Sequence, residues 1–171
     1  AAAVLVSEKK AKELGMGRAI KVRASALASD PYTDRDLVMP DVNSCTRIAV
    51  KEAYEQAGLG AEDINLVELH DCFATAEMLH YENLGLCKDG DAGKMIDDGD
   101  VELGGRIPVN VSGGLLSKGH PLGATGIANI YEVCTHLRGE AGKRQVDGAK
   151  IGMTHVIGLG TACAIHILEK T

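Results

Sequence analysis

Apolar and polar positions along this chain switch repeatedly between a period of two and a period of three to four, so strands and helices are expected in alternation. Ala1-Ala2-Ala3-Val4-Leu5-Val6 reads as the inside of a buried strand, and residues 7–15 as a helix with a serine cap and a glycine stop. The alternating run 19–28 predicts a second strand, closed by the turn Ser29-Asp30-Pro31. Val42, Cys45, Ala49 and Ala53 recur at helical spacing, which predicts a helix over 41–58 ending on a glycine. A short apolar strand over 64–69 follows, then a helix over 73–84. Residues 88–105 are rich in aspartate and glycine and predict a surface excursion with one helical turn near 92–96. Beyond it, 107–111 reads as a strand, 112–119 as a glycine-rich loop and 121–137 as a helix with proline in its first turn. Two final apolar runs, 150–156 and 161–168, read as a hairpin around Gly158-Leu159-Gly160.

This order predicts an α/β fold: a mixed central sheet, helices on both faces and a C-terminal antiparallel hairpin. The 171 residues, 45% hydrophobic and 25% charged, suit one globular unit. Tryptophan is absent, phenylalanine occurs once and 21 residues are glycine, so aliphatic and alanine packing with tight turns must build the core.

A formal charge of −6 argues against a nucleic-acid surface, because phosphate neutralisation needs a basic patch and Lys143-Arg144 is too short to be one. No apolar run reaches the roughly 18 residues of a spanning helix, and no stretch resembles a leader peptide. The expectation is an intracellular chain with no membrane span. Five cysteines without a CxxC pair fit reduced thiols better than disulfides or a metal site. Cys45, Cys134 and Cys163 lie in apolar periodic stretches and are expected to be buried, with Cys87 also structural.

In such sheets function gathers where strands end and helices begin. Two segments qualify. In His70-Asp71-Cys72-Phe73 an extended backbone would turn His70 and Cys72 to one side and Asp71 to the other, and a thiol beside an imidazole exchanges protons near neutral pH. A buried cysteine with a histidine bonded to backbone is the plainer reading. The segment Asn110-Val111-Ser112-Gly113-Gly114-Leu115-Leu116-Ser117-Lys118-Gly119-His120-Pro121-Leu122-Gly123-Ala124-Thr125-Gly126 combines five glycines with a following helix start. That arrangement allows close backbone approach to a ligand, and His120, held by Pro121, is placed to donate to a developing oxyanion. An ordinary glycine-rich turn is the alternative. Gly158-Leu159-Gly160 serves as a hairpin turn or, if it faces the same cavity, as a second oxyanion site through its N–H groups. His155 just before it is a core histidine or a support for that site.

These residues resemble a known family. Gly119-His120-Pro121-Leu122-Gly123-Ala124-Thr125-Gly126 resembles the histidine loop of thiolases, and His70-Asp71-Cys72-Phe73 resembles the variant of the sterol-carrier-protein thiolase branch, where most thiolases have asparagine first and no cysteine. The likeness runs over essentially the whole chain. It implies a thiolase-like C-terminal half over 18–171, with 1–17 as the strand and helix that end the N-terminal half.

By the same resemblance, His70 and His120 would hold the first oxyanion hole and Cys72 would be the acid/base that moves the α-proton. The backbone of Gly158 and Gly160 would form the second hole, and Ser112-Gly113-Gly114 would make the local contact with CoA. The final turn has no cysteine at its mouth, which agrees with Cys72 taking that role; Cys163 lies too far along the last strand. Coenzyme A is implied as substrate, with no bound cofactor and no metal. The nucleophilic cysteine would come from the N-terminal half, in the same or another chain, so this segment alone would neither form an acyl-enzyme nor turn over. Homo-oligomers are usual in the family, and its members include bacterial and peroxisomal ones, although Leu168-Glu169-Lys170-Thr171 is not a peroxisomal address. The competing reading is a non-catalytic, thiolase-derived binding or assembly module in lipid or sterol metabolism. A ketosynthase is a weaker third, since Cys72 does not suit it.

Overall fold

The computed structural model describes residues 1–29, 42–159 and 161–171. Its elements in chain order are α1 (Glu8–Glu13), β1 (Ile20–Ser29), α2 (Val42–Ala57), β2 (Leu66–Glu68), α3 (Ala74–Asn83), α4 (Ala92–Asp97), α5 (Gly114–Lys118), α6 (Thr125–Leu137), β3 (Ile151–Gly158) and β4 (Ala162–Lys170). The strands form one sheet in the order β1-β4-β3-β2. β4 runs antiparallel to both β1 and β3, and β2 runs parallel to β3. The mixed sheet and its closing hairpin are those expected.

Alternation along the strands divides their side chains between two faces. Ala24, Ala26, Ala28, Val67, Met153, Ile165 and Ile167 share a core with Ala49 and Ala53 of α2 and Tyr81 of α3. Leu66 and Leu168, one residue out of step with Val67 and Ile167, pack instead with Val133 and Leu137 of α6. Alanine on alanine lets α2 lie close on the edge strand. At the break in register between Val22 and Ala24, Arg23 donates to the Ala57 carbonyl that ends α2 (2.6 Å) and to Glu169 (3.1 Å). The other helix approaches closely because residue 152 is glycine: a Cβ there would stand 2.5 Å from Val133 Cγ1 and 3.0 Å from Leu66 Cδ2.

Ser7 caps α1 as expected, its hydroxyl accepting the Lys10 N–H at 3.1 Å. Four other expectations need correction. Residues 1–6 form no strand: Val4 and Leu5 are exposed, and none of the described strands pairs with them. The expected strand over 107–111 shrinks to a single parallel bridge, Val67 to Val109, because Pro108 has no N–H to give and Asn110 turns the chain at φ +49°. The glycine-rich loop folds partly into the short helix α5, and the next helix begins at Thr125 rather than Pro121, since Gly123 takes φ +80°. Cys134 is only half-buried, whereas Cys45 and Cys163 are fully buried; none of the five cysteines is in a disulfide. Among the described residues no helix is long and apolar enough to cross a membrane.

The close seat of α6 on β3 is testable. Gly152→Ala forces Val133 and Leu66 apart and is expected to cost about 1–3 kcal/mol. Urea denaturation should show a lower midpoint at an unchanged slope.

Candidate active site

Parallel pairing brings the C-terminal ends of β2 and β3 to the same edge of the sheet, and the functional segments leave from there. His70, just beyond β2, is 6% exposed. Its N–H donates to Nδ1 of His155 on β3 at 3.4 Å. Because that nitrogen accepts, the neutral His155 ring carries its proton on Nε2, which faces Thr46 Oγ1 at 3.5 Å. Asn129 of α6 spans the two strand ends, its Nδ2 lying 3.5 Å from the carbonyls of both Glu68 and His155. On the other side of His155 lies His80 of α3, with ring centroids 4.2 Å apart. Burial, with like charge from His70 behind it, pushes His80 down to about 4. Burial also holds His155 well below its ordinary value.

The glycine segment is fastened to the end of β2 by two buried carboxylates. Asp71 turns away from His70 and accepts the Leu115 N–H at 2.7 Å, in the first turn of α5. Gly114 makes room for it: the residue sits at φ +59°, and a Cβ there would fall inside the Asp71 carboxylate. Glu68, 1% exposed, accepts the Ser112 hydroxyl at 2.6 Å and the Ser112 N–H at 3.2 Å. Lys118, the last residue of α5, lies 3.5 Å from Glu68 and 3.9 Å from Glu132, which in turn pairs with Arg144 at 2.9 Å. Burial raises the Glu68 carboxyl, opposed by Ser112 and Lys118. Asn110 completes the frame, its side-chain oxygen accepting the Leu69 N–H at 2.8 Å.

From α5 the chain passes through Gly119 to His120, whose ring stands perpendicular to that of His70 with centroids 4.8 Å apart. Nδ1 of His120 lies 2.7 Å from Thr125 Oγ1, and that hydroxyl donates to the Pro121 carbonyl at 3.2 Å. Thr125 is therefore left to accept from Nδ1–H, so the neutral ring offers a bare Nε2. Burial first and His120 second hold His70 below its ordinary value, which keeps it neutral near pH 7, and its Nδ1 is buried without a partner.

Of the residues singled out in the sequence, His70 and His120 meet. Cys72 is exposed in the bend that leads into α3. Ser112 spends its hydroxyl and N–H on Glu68, while Gly113 is exposed ahead of α5. Gly158 is exposed at the end of β3, its carbonyl accepting the Thr161 N–H at 3.1 Å, and Gly160 lies outside the described residues. Glu68, Asn110 and Thr125 were not foreseen, and Asp71 was expected only to point elsewhere. Strand alternation offered one signal, since it turns Glu68 to the same side as His70. Among the described residues no three histidine, cysteine or carboxylate groups are arranged to hold a metal ion.

The buried imidazoles make stability depend on pH. Between about 4 and the ordinary 6.5, unfolded chains bind a proton at His80 that the folded chain refuses. Stability is then complete above about pH 6.5 and declines as pH falls toward 4, by about 3 kcal/mol from this ring. His80→Phe is expected to flatten that stretch of the curve in urea denaturation at successive pH values.

Comparison with known proteins identifies the family of this chain. A family model described as Thiolase C-terminal domain-like matches residues 33–170. Sterol carrier protein 2 of Rattus norvegicus is 44% identical over 171 residues, covering 98% of this chain and 31% of that protein. Acetyl-CoA acetyltransferase of Methanothermobacter thermautotrophicus is 48% identical over 157 residues, covering 88% of this chain and 40% of that protein. A solved structure titled Ltp2-ChsH2(DUF35) aldolase matches with TM-score 0.76 at 25% identity, over 88% of this chain and 39% of that one. The Bacillus anthracis acetyl-CoA acetyltransferase shares the fold, with TM-score 0.69 at 21% identity over 96% of this chain and 34% of that one. The chain thus spans about a third to two fifths of the length of these relatives. With the family model covering most of its residues, the chain belongs to the thiolase family, as a thiolase C-terminal domain.

Proposed function

We propose that this domain supplies the oxyanion-binding and proton-transferring half of an acyl-CoA acyltransferase, which cleaves 3-ketoacyl-CoA with CoA or condenses two acyl-CoA molecules. The perpendicular pair His70, just beyond β2, and His120, just beyond α5, with ring centroids 4.8 Å apart, carries the reading. In the complete protein a nucleophilic cysteine of the N-terminal half meets this edge of the sheet. Residues 1–17 belong to that half and 18–171 to this one, and the assembled protein is a homo-oligomer.

In thiolysis the thiol of that cysteine gives its proton to the bare Nε2 of His120 and its thiolate adds to the 3-keto carbon. The C2–C3 bond then breaks, leaving an acyl-enzyme and the enolate of the shortened thioester. That enolate oxygen accepts from His70 and from the Nε2–H that His120 now carries. Cys72 hands its proton to the enolate carbon and, as thiolate, takes the thiol proton of CoA; the CoA thiolate then displaces the enzyme cysteine from the acyl group, and that cysteine recovers its proton from His120. Condensation runs the same steps in reverse, with the Cys72 thiolate removing the α-proton. The exposed backbone at Gly113 is where the thioester chain of CoA would rest, and the N–H groups of Gly158 and Gly160 would receive the second oxyanion.

The solved neighbour titled an aldolase favours a second reading, in which the same oxyanion site cleaves a 3-hydroxyacyl thioester without an acyl-enzyme. The two differ in the need for CoA and for acylation. In the complete protein, Cys72→Ala is expected to lower acetoacetyl-CoA thiolysis by about 10²–10⁴-fold, while intact mass still registers acylation by acetyl-CoA. His120→Ala should depress both. Cleavage of a 3-hydroxyacyl-CoA in the absence of CoA, with no acylated species, would move the assignment to the aldolase; inertness toward both substrates would leave a binding or assembly module.

A further inference from the structure

Glu68 ends β2 and His70 lies two residues beyond it, while Lys118 ends α5 and His120 lies two residues beyond that, with only Gly119 between them. The two segments meet at two successive points, like rungs. One rung is the Glu68–Lys118 ion pair at 3.5 Å, and the next is the His70–His120 contact at 4.8 Å. Glu68 also holds Ser112, so a single carboxylate grips α5 from both ends.

His120 needs such support. It is exposed, and the residue before it is a glycine at φ +85°, a link with little stiffness of its own. Thr125 orients the ring from the C-terminal side. From the N-terminal side the nearest tether is Lys118, drawn between Glu68 and Glu132. A leucine would fill the strand position of Glu68 without the several kcal/mol that a buried carboxylate costs in desolvation. What the carboxylate adds is direction, since an ion pair with two further hydrogen bonds fixes where α5 ends.

We propose that Glu68 and Lys118 are positioning residues, a clamp that holds His120 at its working distance from His70. The proposal rests on the acyltransferase reading of this site. It concerns geometry at a catalytic pair and predicts coupling between Lys118 and His120, which a general contribution to folding does not.

The test uses the complete protein and acetoacetyl-CoA thiolysis. Lys118→Met, Lys118→Arg and the pair Glu68→Gln/Lys118→Met are measured in the native background, and Lys118→Met again on His120→Ala. Lys118→Met is expected to lower kcat by about 10- to 100-fold with KM changed by less than about twofold. Lys118→Arg, which keeps the ion pair, should restore most of the rate. On His120→Ala, Lys118→Met should cost nothing further, because the ring it positions is gone. The paired variant removes the buried charge along with its partner and so folds even where the single change strands Glu68; it should lose kcat to a similar degree. A native rate in Lys118→Met or in the paired variant overturns the clamp. So does a loss that recurs at full size on His120→Ala, since it then acts through folding. Full activity of His120→Ala alone is a different failure: it overturns the assignment of the site.

Discussion

The parallel pairing of Leu66–Glu68 with Gly152–Thr154 is the constraint on which the site depends. Parallel strands deliver their C-terminal ends to one edge, so the segment that leaves β2 and the segment that leaves β3 emerge side by side. The pairing is only three residues long and is held from several directions. Asn65 accepts the N–H groups of Lys150 and Ile151, Asn129 spans the carbonyls of Glu68 and His155, and His155 receives the N–H of His70. On the other side of β2 the Val67–Val109 bridge and the bonds of Asp71 and Glu68 lay the glycine segment alongside, so that His70 and His120, fifty residues apart in the chain, meet.

Polar groups are concentrated where an ordinary core would be apolar. Glu68, His70, Asp71, His80, Asn129 and His155 are all buried near the strand ends. Each charge there carries a desolvation cost, and each is answered differently. Asp71 accepts the backbone N–H of α5, Glu68 accepts a hydroxyl and an N–H and pairs with a lysine, and burial disfavours the charged form of the histidines. The result is a site whose geometry is set by directed bonds.

Glycine serves two opposed ends in the same region. Gly114 and Gly152 admit close approach, one to a carboxylate and the other to α6, and so tighten the structure. Gly119 loosens the link to His120, and the tethers through Lys118 and Thr125 make good that loss. The histidine is accordingly held by side chains on either flank.

Much of this was legible in the amino-acid order. Period-two and period-3.6 patterns located most strands and helices, because burial of one face is a local property of the side chains themselves. The glycine and histidine segments marked the site, since their residue types have few other uses at the ends of strands. Tertiary structure decided what depends on partners distant in the chain. Residues 1–6 read as a strand but have no neighbour to pair with among the described residues, and 107–111 reads as a strand but is broken by its own Pro108 and by the turn at Asn110. The roles of Glu68, Asp71 and Thr125 were likewise hidden. A carboxylate or hydroxyl is defined by what it bonds to, and the donors to the two carboxylates arrive from a segment 44 to 50 residues away in sequence, laid beside β2 by the Val67–Val109 bridge. The sequence by itself determined the elements and the chemical inventory of the edge. Their mutual distances were decided by folding, because hydrogen bonds and ion pairs act over a few ångströms in space, whatever the separation along the chain.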